Sequence, residues 1–462
     1  MARALKHNLE YRTKLMEEAL ALNLLDVTKG DMLPKLLGQA GYSARNNDRI
    51  SLSRDATIDG SPLLPSRFIS QERTHTGSEL GLSWSILDFG LGYYNSRQQA
   101  DRVLVAAERR RRSMHLLLQD VRIAFWRLAS AQQLEGKLKS TISAAEAALA
   151  DSRGAEAARI RNPAENMRYQ RQILENLRVL EAVSLELSSA EIQLGTLINA
   201  PPGQSIRVAA VEYRGANSSI GRLTVEKMEE IALVQNPDWR EQHYNVRIAR
   251  LEARKALTRM FPNLTFSYAY NYDTDRYLVN NQWNQAGISL SYNFMTLLSY
   301  GAVKRYAQAG EDLARQRQIT VHMATLAQLH LAHLNFLNAA QQMARAKEIL
   351  EVDRRLADLS TDKEAAQAQS RLERVSAETV AILSELRHFQ AVAQLHAAEA
   401  RLTAVLGAEP EIPSVTETSL NDLTKLLREQ VSWSEEGFPS TARSDFADRV
   451  AEQPGRDLTG AQ

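Results

Sequence analysis

Leu264-Thr265-Phe266-Ser267-Tyr268-Ala269-Tyr270-Asn271-Tyr272-Asp273 is the stretch on which the reading of this chain turns. Its even positions are apolar or aromatic and its odd positions small or polar. That period of two puts all the large side chains on one face of a β-strand. A second run follows, with Ile288, Leu290, Tyr292 and Phe294 alternating with Ser289, Ser291 and Asn293. The same pattern stands earlier in Leu80, Leu82, Trp84 and Ile86 against Gly81, Ser83 and Ser85. A weaker fourth strand has Ala40, Tyr42 and Ala44 against Gln39, Gly41, Ser43 and Arg45.

Strands of about ten residues with one aromatic-rich face and one small polar face match the length and dyad of a tilted strand in a membrane barrel. A half-buried antiparallel sheet in a water-soluble protein carries the same alternation. The two readings differ in one consequence. Four strands cannot close a barrel, because closed membrane barrels begin at about eight. An open edge in hydrocarbon leaves backbone groups unpaired at several kcal/mol each. A membrane-spanning version of this chain must therefore oligomerise.

The four strands fall into two copies of one unit. Ala4-Leu5, Asn8 and Tyr11-Arg12 recur as Ala232-Leu233, Asn236 and Trp239-Arg240, and Met32, Pro34, Leu36 and Tyr42 recur as Met260, Pro262, Leu264 and Tyr270. The offset is constant at 228 residues (262 − 34). Beyond the strands it settles at 208 (305 − 97): Arg97 pairs with Arg305, and Ala190-Glu191, Leu194, Ala200 and Pro202 pair with Ala398-Glu399, Leu402, Ala408 and Pro410. The length difference lies between the two strands of each half, where the first half carries the polar insert Asn47 to Ser78. Insertions collect in exposed connections, so this segment reads as a surface loop. Each half reads helix, strand, loop, strand, long helix, long helix. The expected organisation is a first repeat over 1–208, a second over 209–410, and a polar tail over 411–462, disordered past about Arg428.

From about Tyr94 to Ala150 there is no proline and only Gly136, and helix-forming residues dominate. Val103, Leu104, Leu116, Leu117, Val121, Phe125, Leu128 and Leu134 form a stripe flanked by charge, so the helix needs lateral partners. Asn162-Pro163 opens a returning helix that Pro201-Pro202-Gly203 ends near Asn199. The second half repeats this from about Ser299 to Asp358 and Lys363 to Leu406. The hairpin tips are expected at Asp151-Ser152-Arg153-Gly154 and Ser360-Thr361-Asp362, far along the chain from the strands.

Composition narrows the function classes. The chain has 462 residues, with Lys+Arg 56 against Asp+Glu 55, and this balance leaves no electrostatic footprint for nucleic acid. Cysteine is absent, which removes disulfides, thiolate metal sites and cysteine nucleophiles. No run of about 18 apolar residues could span a bilayer as a helix. The start, Met1-Ala2-Arg3-Ala4-Leu5-Lys6-His7-Asn8, lacks the apolar core of a signal peptide, so for an exported protein it reads as a mature or truncated form.

Gly81-Leu82-Ser83-Trp84-Ser85-Ile86-Leu87-Asp88-Phe89-Gly90, followed by Arg97-Gln98-Gln99-Ala100-Asp101, is similar to the strand-to-helix junction of TolC-family outer-membrane factors. So are Ala4-Leu5 with Asn8, their copy Ala232-Leu233-Val234-Gln235-Asn236-Pro237-Asp238, and the prolines Pro34 and Pro262 before each first strand. The resemblance covers residues 4 to about 410. It implies a mainly α fold with a small β section: a duplicated TolC-like chain with four barrel strands and long coiled-coil helices, forming a trimeric β-barrel and α-barrel. It implies an outer-membrane channel with a periplasmic extension, a passive conduit of a tripartite efflux pump or a type I secretion system, and not an enzyme. Its partners would be two further copies, outer-membrane lipid, a periplasmic adaptor (membrane fusion) protein and an inner-membrane transporter, with no cofactor and no nucleic acid.

On that resemblance the lipid-facing strand positions are Leu82, Trp84, Phe266, Tyr268, Tyr270, Ile288, Leu290 and Tyr292. The adaptor-docking tips are Arg153, Gly154, Ala366 and Gln367. The family tip often carries a Val-Gly-Leu/Thr-like turn, where this chain has Arg153-Gly154-Ala155 and Ala366-Gln367-Ala368. The family's constriction often uses aspartates after the second tip, where this chain has Glu373 and Ser376; Glu373 is the candidate gate, against the plainer reading of a solvated helix face.

Other clusters are assigned structural roles. His322, His330 and His333 share one helix, but no third metal ligand stands at a suitable spacing. Arg109-Arg110-Arg111-Arg112 points round a helix and reads as a solvated collar. Asp88 in Leu87-Asp88-Phe89-Gly90 lacks the phosphate loop a kinase motif requires. Tyr268, Tyr270, Tyr272, Tyr277 and Trp283 read together as an interfacial aromatic belt. The competing function classes are a water-soluble coiled-coil scaffold or tether, and, more weakly, an extracytoplasmic enzyme, for which no converging catalytic set is found.

Overall fold

A computed structural model describes residues 1–53, 66–157, 163–201, 203–208, 223–366, 371–408 and 418–427. Of the polar tail, residues 411–417 and the segment from Arg428 to Gln462 lie outside the described residues, as do Gln367 and the centre of the polar insert. The elements in chain order are α1 (Ala2–His7), α2 (Leu9–Gly30), β1 (Lys35–Ala44), β2 (Arg49–Ser53), β3 (Ser66–Gln71), β4 (Thr74–Ser85), α3 (Ile86–Ala157), α4 (Pro163–Leu197), α5 (Val225–Gln235), α6 (Pro237–Thr258), β5 (Asn263–Asp273), β6 (Gln282–Ser291), α7 (Thr296–Ala365) and α8 (Arg371–Leu406). A short helical segment follows at 420–427.

The expected strands form, with three differences. The insert read as a loop holds the hairpin β2–β3, an antiparallel pair with Ile50 opposite Ile69 and Leu52 opposite Arg67. β4 starts at Thr74, inside that insert, and ends at Ser85, because Ile86 already belongs to α3. β6 ends at Ser291, so Tyr292 and Phe294 stand beyond it. The first helix of each half is also broken, at Asn8 and at Asn236, whose backbones are extended with φ −64° and −62°.

The helices outrun the expected tips. α3 continues to Ala157 and α7 to Ala365, so Asp151 to Gly154 and Ser360 to Asp362 lie within helices. Both segments lack a strong stop. Gly154 costs only about 1 kcal/mol in a helix interior, and alanine and glutamate around it favour continuation.

The chain divides into two compact units. One consists of residues 19–105 and 243–317 and holds both sheets. Its main sheet has the order β1-β4-β5-β6, antiparallel throughout. Within this unit Gln98 is fully buried and bonds the Ile248 carbonyl at 3.2 Å and Glu252 at 2.8 Å, tying α3 to α6. Arg247 reaches the buried Asp101 at 2.8 Å, where burial pushes the carboxyl up against the opposing pull of Arg247 and Arg97.

The other unit, residues 1–18, 106–242 and 318–462, is helical among its described residues. Its core is a series of separate clusters. One joins Ala4 and Leu5 of α1 to Val121, Ala124, Leu128 and Ala131 of α3 and Leu194 of α4. Another joins Met228 and Ala232 of α5 to Leu329, Ala332, Phe336 and Ala339 of α7 and Leu402 of α8. The four α3 positions and the four α7 positions differ by 208 (329 − 121) and repeat at the 3- and 4-residue spacing of one helix face. No helix is long and apolar enough to cross a membrane among the described residues.

Candidate functional site

The sheet is exposed on both faces, and its register sorts the side chains. Antiparallel partners lie opposite one another and project to the same side. Leu36 stands opposite Leu82, Leu82 opposite Tyr268, Leu80 opposite Tyr270, Trp84 opposite Phe266, Phe266 opposite Ile288, and Leu264 opposite Leu290. Leu82, Trp84, Phe266, Tyr268, Tyr270, Ile288 and Leu290 therefore share one face, and all of them are exposed, Ile288 at 71% and Leu290 at 72%. The Trp84 and Phe266 rings stack at 6.2 Å on that face.

The opposite face carries Ser83 with Ser267 and Gly287, Thr265 with Ser289, and Gly81 with Ala269. The aromatic group read as one belt is split between the faces. Trp283 stands opposite Asn271 and so lies on the polar side, away from Tyr268, Tyr270 and Tyr272. Parity was the available signal, since Trp283 has the numbering parity of Ser289 and not of Ile288. Tyr292 is past the strand end, edge-on to Phe294 at 5.1 Å.

At the loop end of the sheet, polar side chains hold the connections together. His75 bonds Asp273 at 2.9 Å, and Gln71 contacts the other ring nitrogen of His75 at 2.9 Å. The buried Asp275 accepts from the backbone of Glu72 and of Tyr277, each at 3.1 Å. Arg73 grips Asp48 with two bonds of 2.7 and 2.9 Å, and this guanidinium holds the Asp48 carboxyl below its usual range. Asp273 and Tyr277 stand out in the sequence only as a strand position and an aromatic; the other members of this cluster carry no sequence signal. At the opposite end Ser85 donates to Asn263 at 2.7 Å, and Lys35 lies 3.4 Å from Asp88 in an exposed ion pair.

At the far end of the first helical hairpin, Ser152 and Asn166 are both buried. Ser152 donates to Asn166 Oδ1 at 2.7 Å, and Asn166 donates to the Ser152 carbonyl at 3.0 Å. Arg153 and Gly154 are exposed in the helix just beyond this clamp, and Ala366 is exposed immediately after α7. Glu373 sits in the first turn of α8 and is exposed, a position where the helix dipole favours a carboxylate. One residue later, Arg374 reaches Glu378 at 2.7 Å and also engages Glu364.

The arginine run is more engaged than a solvated collar. Arg109 bonds Glu241 at 2.8 Å, Arg110 pairs with Glu18, Arg111 donates to the Gly407 carbonyl at 2.8 Å, and Arg112 bonds Asp238 at 2.8 Å. Because consecutive side chains radiate, each meets a different neighbour. Glu385, nearly buried, is held between Lys137 at 2.8 Å and Arg354 at 2.7 Å, which joins α3, α7 and α8. The histidines do not converge: His330 bonds Glu229 at 2.8 Å, and His322 lies against Trp239 at 5.0 Å. No group of three His, Cys, Asp or Glu side chains able to hold a metal occurs among the described residues.

No family model matches the chain, and no curated protein matches its sequence. Solved structures do match its fold. The Campylobacter jejuni CmeC outer membrane channel superposes with a TM-score of 0.70 at 12% identity, over 93% of this chain and 88% of that one. The outer-membrane channel OprN gives 0.68 at 16% identity over 88% of each chain. The open state of the Neisseria gonorrhoeae MtrE outer membrane channel gives 0.65 at 14% identity, over 88% of this chain and 87% of that one. The duplicated order of helices and strands, the four-stranded sheet with one aromatic face and these superpositions agree: this chain has the TolC-type outer-membrane channel fold.

Proposed function

We propose that the chain is one protomer of an outer-membrane efflux channel, a passive conduit without enzymatic activity, which completes its walls as a homotrimer. The observation that carries this reading is the main sheet. It has four strands, an exposed aromatic face, a polar second face, and edge strands β1 and β6 that pair with nothing further among the described residues. In water such a sheet exposes a large apolar patch and two aggregation-prone edges. In a bilayer the same features become a wall, provided that β6 of one copy pairs with β1 of the next. Three copies give twelve strands, and an even number of antiparallel strands can close.

The helices support the same assembly. On α3, Trp126 packs against the α5–α7–α8 cluster, its ring stacked 4.0 Å from His396. The equivalent position on α7 is Leu334, by the offset of 208, and it is 62% exposed. Ile349, Val352, Leu356 and Leu359 continue an exposed stripe on α7 at spacings of three and four, and Met16, Leu20, Leu24 and Val27 make another on α2. These two helices flank β6 and β1 in sequence. The two repeats, 1–208 and 209–410, thus leave a seat at each free side that a neighbouring copy fills, a heterologous contact that closes into a ring.

In this reading Leu82, Trp84, Phe266, Tyr268, Tyr270, Ile288 and Leu290 meet lipid. The tips around Arg153, Gly154 and Ala366 meet a periplasmic adaptor that couples the tube to an inner-membrane transporter. Glu373 is placed as an N-terminal helix carboxylate first and a gate residue second. Export of small molecules is the primary role; protein export by a type I system uses a conduit of the same build.

The test is conductance together with membrane partition. Purified protein should require detergent, migrate as a trimer and form discrete channels in planar bilayers. A monodisperse rod that is stable without detergent and does not conduct would sink the channel reading and favour a coiled-coil tether.

A further inference from the structure

One row of the main sheet is unlike its neighbours. Gln39 stands opposite Glu79, Glu79 opposite Asn271, and Asn271 opposite Trp283, so these four side chains lie side by side on the polar face. In both adjoining rows β4 carries glycine there. Gly81 and Ala269 stand on one side, and on the other Gly77 lies opposite both Gly41 and Asp273. The row of four larger side chains therefore forms a ridge that is flanked on both sides by glycine along β4, while Leu37, Gln285 and Asp273 stand in the neighbouring rows on the other strands.

The charge on this ridge is uncompensated. Of the other charged groups on this face of the strands, Lys35 lies 3.4 Å from Asp88, and His75 bonds Asp273 at 2.9 Å. Glu79 has no hydrogen-bond or ion-pair partner among the described residues. Its carboxylate lies over Gly81, where an added Cβ would stand 3.1 Å from Oε1, so the glycine leaves the room it occupies. Beside it, Asn271 Nδ2 is shielded from solvent and has no hydrogen-bond partner among the described residues. Trp283 completes the row and is 40% exposed.

We propose that this row is a binding collar for hydrophobic organic cations, with Glu79 taking the ammonium group and the Trp283 indole taking its apolar skirt. The proposal rests on the channel reading, in which the polar face lines the lumen and three copies set three carboxylates and three indoles at one level. Glu79 and Trp283 are two strands apart, about 10 Å between backbones, a gap that a tetraalkylammonium bridges. An indole face attracts organic cations through its quadrupole. A hydrated potassium ion gains less from it, because its charge stays behind water. The collar thus discriminates by ligand class as well as by sign of charge.

The probe is tetrapropylammonium applied to single channels of the purified full-length protein in planar bilayers under a KCl gradient. Wild type is expected to show concentration-dependent block. Trp283→Leu should weaken that block about ten-fold, while Trp283→Phe, which keeps an aromatic face, should stay within about three-fold of wild type. Glu79→Gln, which is isosteric, should weaken the block and shift the zero-current potential towards lower cation preference. Conducting Trp283→Leu and Glu79→Gln channels that keep wild-type block and potential would overturn the collar and leave the channel reading standing. A wild type that inserts without conducting would overturn both. If Trp283→Leu fails to assemble, Glu79→Gln and Trp283→Phe still decide, since loss of block in the phenylalanine variant also contradicts the proposal.

Discussion

Asn236 donates its side-chain amide to the Val405 carbonyl at 2.8 Å, and Asn8, its counterpart 228 residues earlier, does the same to Leu197 at 3.2 Å. Each asparagine breaks a helix with an extended backbone, ψ 125° and 127°. Each also caps the next helix: Asn8 Oδ1 accepts from Tyr11, and Asn236 Oδ1 accepts from Asp238 and Trp239. One side chain therefore ends a helix, starts another and ties both to the end of the returning long helix.

Replacing Asn236 by alanine should destabilise the protein by about 1–2 kcal/mol, since the cap is lost and the Val405 carbonyl loses its donor. Asn8→Ala should cost a similar amount. The two sites share no partner, so the double variant should show the sum to within about 0.5 kcal/mol. Thermal unfolding of the detergent-solubilised protein measures this, and single variants that melt like wild type would contradict the capping role.

Gly407 closes the same junction from the other side. Its φ is 70°, and a Cβ there would stand 2.4 Å from the Gln235 carbonyl oxygen and 3.0 Å from the Asn236 nitrogen. Gly407→Ala should cost about 1–2 kcal/mol for the left-handed backbone and a further 1–3 kcal/mol for the clash. Asn199, at the equivalent position with φ 48°, should accept glycine with little change. Equal melting of Gly407→Ala and Asn199→Gly would show that the close approach is not a constraint.

How far the fold could be read in advance follows from these residues. The parity of 264–273 gave the apolar face, and the strand register then paired Phe266 with both Trp84 and Ile288 as that face requires. The offsets of 228 and 208 put Asn8 with Asn236 and Leu194 with Leu402, and both pairs occupy matching places. The hairpin β2–β3 was missed because Ile50, Leu52 and Phe68 make alternating runs too short to stand out among polar neighbours. Breaks at Asn8 and Asn236 were hidden because asparagine alone does not stop a helix; the bond to a carbonyl far along the chain does. The loop-end cluster of His75, Asp273 and Asp275 was illegible for the same reason, since it joins side chains that only sheet pairing brings together.

His115 predicts how stability responds to acid. The ring is 2% exposed on α3, and burial, then Arg111, and then Arg122 lower its pKa from 6.5 to about 3, against an opposing bond to the Ala404 backbone. As the pH falls, the unfolded chain takes up this proton before the folded one does. The stability of the neutral buried ring is therefore complete above pH 6.5 and is lost progressively between pH 6.5 and about 3. The slope should approach about 1.4 kcal/mol per pH unit in that window. His115→Gln should lower stability at pH 7 yet flatten the dependence. Parallel melting curves for the two proteins from pH 7 to pH 5 would remove His115 as the cause.

Leu290 and Ser289 are neighbours in β6 that face opposite ways, Leu290 opposite Leu264 and Ser289 opposite Thr265. If the apolar face meets lipid, arginine at 290 carries its charge into hydrocarbon at about 2–4 kcal/mol per copy near the bilayer midplane, and a trimer incurs that cost three times. On the same reading, arginine at 289 would point into a water-filled lumen, altering ion preference while assembly continues. Leu290→Arg should therefore abolish the detergent-resistant oligomer, and Ser289→Arg should keep it and shift the zero-current potential towards anions. Heat-modifiable migration on gels reads the first effect and bilayer recording the second. Equal assembly of the two variants would mean that the face has been assigned wrongly, and the reverse ranking would turn the barrel inside out.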